Sequence, residues 1–222
     1  MNILDKNSFE IFHKPPEFTS TQRKSCFTFS QKRIEDTKKL RSPTTQIGFL
    51  LSLGYFKVSK RFYDPEDFYT RDINHVAKLL GYNASDFISQ NYLLRTRQRY
   101  NLRIIKLCGY KSFDSSVSKK IIENIDAMVR QYLKTNLIFW RCIDLMINDK
   151  ICPPTYNKIS KLILSRMSSY KSEMTHIINQ TMSVQCRDLL NSLFLKTAES
   201  NKFELTLLKK PSHSTKPLKI KN

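Results

Sequence analysis

Past Pro43 the apolar residues fall into runs with helical spacing. Ile47, Phe49, Leu50, Leu51, Leu53, Tyr55 and Phe56 crowd one short stretch, with Thr44 or Thr45 available to cap it. A helix apolar on most sides belongs inside a core. Asp64-Pro65-Glu66-Asp67 reads as a strong helix start. The Asp64 carboxylate suits orphan amides, Pro65 suits the first helical position, and the acids meet the positive dipole end. Between Asp72 and Gly81, Ile73, Val76, Ala77 and Leu80 share one face, and Gly81 stands where a left-handed residue closes a helix. Asn83-Ala84-Ser85-Asp86 then restarts a helix, which predicts a helix, a glycine turn and a second helix.

Residues 117–148 form one long amphipathic stretch built on Ile121, Ile125, Met128, Leu133, Leu137, Trp140 and Ile143, broken by Cys152-Pro153-Pro154. Thr155 to about Thr181 is a further block, and Val184 to about Leu208 another. Before Pro43, short helices over Gln22–Cys26 and Gln31–Leu40 are expected in a loosely packed arm, the first capped by Thr19 or Ser20. After Lys209 the chain is basic, proline-containing and too poor in apolar residues to fold alone. The expected fold is all-α: an N-terminal arm over 1–43, a multi-helix domain over 44–115, a helical bundle over 116–208 and a basic tail over 209–222.

Composition agrees. Of the 222 residues 40% are hydrophobic, enough for a core, and only 4 are glycine, too few for many tight hairpins or a glycine-rich phosphate loop. Charge changes the picture more. Lys and Arg number 38 against 19 Asp and Glu, a net charge of +19. Such an excess repels itself and calls for a polyanionic partner, with nucleic acid ahead of anionic membrane. The longest uncharged run, between Arg41 and Lys57, is polar-interrupted and shorter than the roughly 20 apolar residues a span needs, so no membrane role is expected. No secretory signal is visible, and the 5 cysteines form no CxxC pair. They read as reduced and mostly buried, in a cytoplasmic protein without metal or other cofactor. His75, outside the apolar face of its helix, reads as a surface or partly packed side chain.

The sharpest feature lies between Asp86 and Asp114, where no acid occurs. At about 100° per residue, Arg95, Arg99, Arg103 and Lys106 fall within an arc of about 80°, with Leu93, Tyr100, Ile104 and Leu107 opposite. Like charges four residues apart weaken an isolated helix by a few tenths of a kcal/mol per pair. Laid along phosphates, the same row releases condensed counterions and gains salt-sensitive affinity. Arg97 and Lys111 belong to the same basic segment, and Gln90, Asn91, Gln98 and Asn101 offer hydrogen bonds to bases or backbone. A second basic group, Lys57, Lys60, Arg61 and Arg71, is flanked by Tyr55, Phe56, Phe62 and Tyr63, rings that favour anchoring a loop over stacking on bases. The candidate DNA-binding residues are therefore Arg61, Arg71, Arg95, Arg97, Arg99, Arg103, Lys106 and Lys111. No motif for a nucleotide loop, nucleophile elbow or metalloprotease occurs, and Asp126, Asp144, Asp149 and Asp188 look like solvated helix positions.

Three stretches together resemble a known family. Thr45 to Phe62, with Gly48-Phe49, Leu51-Ser52-Leu53 and Arg61-Phe62, is similar to the N-terminal region of Tn-three family replicative transposases. Asp72-Ile73 through Ala77-Lys78-Leu79-Leu80-Gly81 resembles that family's next helix, and Arg95–Lys106 followed by Cys108-Gly109-Tyr110-Lys111-Ser112-Phe113 resembles its basic helix. The likeness extends over residues 5–220. It implies a helical module that binds the terminal inverted repeats of a transposon. The family's catalytic core and its metal-binding acidic triad lie further on, so this chain is expected to be a truncated, non-catalytic part. Expected partners are double-stranded DNA and a full-length or downstream transposase. The competing expectations are a helical adaptor or repressor acting on a full-length transposase, and a nuclease.

Overall fold

The computed structural model describes residues 3–195, which carry ten α-helices and no strand. The first three helices are short: α1 Lys6–His13, α2 Ser20–Cys26 and α3 Gln31–Lys38. Each has a side-chain cap, from Asp5, Thr19 and Ser30 respectively, and Thr19 forms a reciprocal box with Gln22. The long helix α4, Pro43–Ser59, is capped by Ser42 with Pro43 in its first turn. Thr44 and Thr45 are therefore inside the helix, because a proline in the first turn leaves the residue before it to cap. Residues 44–56 of α4 are buried without interruption, so α4 is the axis of its core.

Two expected helix starts shrink to single 3-10 turns. Asp64 precedes only Pro65–Asp67, and its carboxylate caps nothing because it is engaged by Arg97 instead. Asn83 precedes only Ala84–Asp86. Helix α5, Thr70–Leu80, forms as expected and closes at Gly81 with φ 84°. The next full helix, α6 Leu94–Leu107, does not begin until residues 81–93 have passed, so the tight two-helix unit expected around Gly81 is absent. The long stretch of residues 117–148 is two helices, α7 Ser115–Arg130 and α8 Thr135–Asn148. The break needs neither glycine nor proline: Tyr132 turns left-handed at φ 56° with its ring in solvent, and the Leu133 amide closes back on the Met128 carbonyl at 3.2 Å. Helices α9 Tyr156–Thr181 and α10 Val184–Ser192 are the last among the described residues. The basic tail expected over 209–222 lies outside the described residues.

The chain divides into two compact units, Met1–Tyr170 and Lys171–Asn222. In the first, apolar side chains gather in two clusters. One surrounds α4 with Phe27, Phe68, Val76, Ala77, Leu80, Tyr92, Tyr100, Ile104 and Ile105. The other joins α7, α8 and the start of α9 through Ile121, Ile125, Ile138, Phe139, Met146 and Ile159. The entry arm does not pack loosely. Ile3, Leu4 and Phe12 are buried in the second cluster and Phe27 in the first, because the aromatic side chains of the arm each find an apolar seat. Burying each such side chain gains roughly 1.5–3 kcal/mol, which offsets the ordering of about one or two residues of the arm.

Within the same unit Asp72 is fully buried and accepts from Arg23 Nε at 2.5 Å and from the Tyr55 hydroxyl at 2.7 Å. This pair of bonds ties α2, α4 and α5 together. Burial and the Asp72 carboxylate together push the Tyr55 hydroxyl well above the usual tyrosine range. In the second unit, Ser183 caps α10, and Arg187 donates to the Asn179 carbonyl at 3.2 Å. Among the described residues, Cys142 and Cys152 are buried, Cys26 and Cys108 half-buried and Cys186 exposed, all as free thiols. Among the described residues no helix is long and apolar enough to cross a membrane.

Candidate nucleic-acid interface

Helix α6 carries the basic stripe, and its placement follows from three buried side chains. Tyr100, Ile104 and Ile105 seat it on the α4 cluster, with the Tyr100 ring edge-on to Phe49 at 5.6 Å. The expected apolar face is shifted: Ile105 is buried, whereas Leu93 is 63% exposed and Leu107 42% exposed. Leu93 is the residue before α6 and Leu107 is its last. The C-terminus is closed by Gly109 at φ 70°, with the Gly109 amide on the Lys106 carbonyl at 3.1 Å and the Tyr110 amide on the Ile105 carbonyl at 2.9 Å. A left-handed residue at that point is what glycine provides without strain.

Facing away from Tyr100 and Ile104, an exposed arc runs through Gln98, Leu102, Arg95, Lys106 and Arg99, in that angular order, over about 100°. Arg103 borders it half-buried, its guanidinium 5.4 Å from the Phe49 ring centre. Arg99 lies 5.0 Å from the Tyr100 ring centre and donates to the Tyr100 hydroxyl at 3.2 Å. Resting a guanidinium on a ring restricts it without neutralising it. Among the described residues no carboxylate pairs with Arg95, Arg99, Arg103 or Lys106. Arg95, Arg99 and Lys106 thus face solvent in a row, with Arg103 half-buried at its edge.

The other sequence-selected cations do not join that row. Arg97 turns to the opposite side of α6 and pairs with Asp64 at 2.6 Å. Arg61 donates to the Phe12 carbonyl at 2.7 Å and stacks over the Phe12 ring at 4.7 Å, so it staples the end of α1 to the body. Burial lowers the Arg61 pKa from its ordinary value. Arg71 is exposed in a separate groove of about 260 Å³ with Glu17, Arg23 and Tyr69. Lys111 keeps an exposed side chain, but its backbone is pinned: its amide donates to the Lys150 carbonyl at 2.8 Å and its carbonyl accepts from the Cys152 amide at 2.8 Å. Of the polar residues, Gln90, Asn91 and Gln98 are exposed near or on α6, while Asn101 points into a groove of about 450 Å³ with Asp64, Asp67 and Tyr156.

The aromatic residues of the second basic group anchor the loop after α4. Phe56 and Phe62 stack with centroids 4.8 Å apart, and Tyr55 meets Tyr63 edge-on at 5.8 Å. Lys57 lies over Phe29 and donates to the Thr28 carbonyl at 3.2 Å, and burial lowers its pKa. Arg33 of α3 joins Lys57 and Cys108 in a groove of about 210 Å³ beside the C-terminal end of α6. Sequence reasoning did not connect Arg33 with α6, because a separation of that length carries no helical periodicity. His75 is half-buried, 6.2 Å from the Phe27 ring, and burial lowers its pKa. Two of the acids expected to be solvated have partners: Asp126 accepts from Arg166 at 2.6 Å and Asp149 from Lys120 at 2.7 Å.

The fold and this surface define an all-α protein with one cationic helix face set on an apolar core. The pattern of the family described as "Domain of unknown function (DUF4158)" matches residues 3–165. The match covers most of the chain, which therefore belongs to that family. No curated protein matches the chain.

Proposed function

We propose that the chain binds double-stranded DNA through the exposed face of α6, as the end-binding part of a Tn-three family transposase acting on terminal inverted repeats, with no strand cleavage of its own. The observation that carries the reading is the row Arg95, Arg99, Arg103 and Lys106 without a carboxylate partner among the described residues. Leaving four cations in a row costs repulsion that nothing on the described surface offsets, and a phosphate backbone offsets it. The family match supports the transposase part of the reading, since the domain is found in Tn-three family transposases. The partners are then transposon DNA and a full-length or downstream transposase, met in the cytoplasm.

The test is fluorescence anisotropy with a labelled duplex across a salt series. Each phosphate contact contributes about −0.9 to the slope of log affinity against log salt. Replacing Arg95, Arg99 and Arg103 together by Ala is expected to weaken binding at every salt concentration and to flatten that slope by about 0.9 for each of the three that holds a phosphate. Equal binding by parent and triple variant at matched salt would sink the reading. Incubating the same duplex with magnesium or manganese checks the absence of cleavage, and cut products would favour a nuclease instead. A second reading, a helical adaptor that modulates a full-length transposase, draws on the second unit. There Ile177, Ile178, Val184, Leu189, Phe194 and Leu195 are exposed apolar positions of the kind that protein contacts cover. Monomeric behaviour and no co-purification with a transposase would count against it.

A further inference from the structure

Leu102 is 52% exposed in the middle of the cationic face of α6. Of its helix-surface neighbours, Gln98, Arg99 and Lys106 are exposed and Ile105 is buried, and Arg95 lies two turns behind it. With Arg95 taken as zero, Leu102 stands at about −20°, between Gln98 at about −60° and Arg99 at about +40°. It is therefore at the crest of the exposed arc, where a helix lying in a groove comes closest to the groove floor. A single exposed leucine elsewhere on a surface calls for no account. Here it interrupts a cationic face with an apolar side chain that adds nothing to the attraction for phosphate.

From this placement we infer that Leu102 reads the 5-methyl group of a thymine in the major groove and makes binding prefer A·T at that position. The inference rests on the DNA-binding reading above and deepens it. The major groove is about 12 Å wide and admits a helix of about 10–12 Å diameter. In that position the crest of the arc meets base edges, and residues on its flanks meet the groove walls. The thymine methyl is the apolar group that the major-groove floor presents, and an aliphatic side chain is its complement. Arg95 and Arg99, beside Leu102, have the forked donors that match guanine O6 and N7. Arg103, half-buried at the edge of the arc, is left for phosphate. The face is thus divided into a reading crest and a gripping flank, and the recognised sequence contains thymine next to guanine contacts.

The experiment uses the full chain and a randomised duplex library, with selection and sequencing of bound duplexes. The parent is expected to enrich a motif that contains an invariant T. Replacing that T by deoxyuridine removes only the methyl group, and is expected to weaken parent binding roughly three- to tenfold. Leu102→Ala is expected to bind the two duplexes equally and to keep the parent's salt slope, and Leu102→Ile to restore the preference. Circular dichroism checks that each variant is folded, which the exposure of Leu102 favours. A motif unchanged in Leu102→Ala, equal parent affinity for thymine and deoxyuridine at every enriched T, or salt-dependent binding with no enriched motif overturns this inference and leaves the DNA-binding reading standing. Absence of salt-dependent binding by the parent overturns both.

Discussion

Arg97 donates to the Asp64 carboxylate at 2.6 Å, whereas Arg95, two residues earlier on the same helix, meets no carboxylate among the described residues. One helix therefore uses its cations in two ways. Arg97 fixes the loop before Pro65 against α6, and the outward row meets no carboxylate among the described residues. The Asp64 side chain is 74% exposed, so solvent screens the pair and holds its worth to no more than about 1 kcal/mol. Arg97→Ala should lower thermal stability slightly and leave duplex affinity within about twofold at fixed salt, while Arg95→Ala should weaken it about five- to tenfold. Anisotropy titrations of both variants decide this. Equal losses would mean that Arg97 also faces the DNA.

Asp72 is the buried joint of three helices, with both carboxylate oxygens engaged by Arg23 and Tyr55. Removing one partner of a buried, hydrogen-bonded pair strands the other charge, at a cost of about 3–5 kcal/mol. Asp72→Ala should lose about that much in urea unfolding, and Asp72→Asn less, because an amide still accepts from Tyr55. A parent-like midpoint for Asp72→Ala would show that Arg23 finds water easily and that the joint matters little.

Gly54 faces the ring of Phe27, and a methyl group there would collide with ring carbons. Phe27 is only 1% exposed, so the ring has no open space to enter. Gly54→Ala should cost about 1–3 kcal/mol through overpacking. Combining it with Phe27→Leu should recover part of that loss, a coupling that a double-mutant cycle measures. Strict additivity of the two changes would rule out the collision as the cause.

Alkaline pH should unfold the protein earlier than its overall charge predicts. Burial raises Cys142 and Cys152 from 9.0 to about 12, and it raises Tyr92 as well. For these thiols the folded pKa lies above the unfolded one. Their contribution is complete below about 9 and is lost as pH rises toward about 12, because the unfolded chain releases its protons first. Melting temperatures recorded from pH 8 upward should fall beyond about 9, and Cys142→Ala should fall less steeply than the parent even if it starts lower. Parallel curves would show that Cys142 ionises without cost in the folded state.

Local rules explain which features could be read in advance. Thr19 with Gln22, Gly81 after Leu80, and the row from Arg95 to Lys106 each depend on residues within one or two helical turns. The misreadings have a common origin. Asp64-Pro65 has every local feature of a helix start, yet Asp64 is drawn to Arg97 and the helix stops after one 3-10 turn. Arg61 has the composition of a DNA contact, yet the Phe12 carbonyl and ring capture it from across the fold. Tyr132 ends α7 in the left-handed region without any glycine to announce it.

The amino-acid order alone determined that this chain is helical, strongly cationic, and equipped with one row of like charges that no nearby acid offsets. Only the tertiary structure decided which cations stay free. Helical periodicity already puts Arg97 opposite the row and Leu102 within it, but pairing depends on side chains far apart in sequence meeting across a core, and it is packing around α4 that brings Asp64 to Arg97 and leaves the row facing outward.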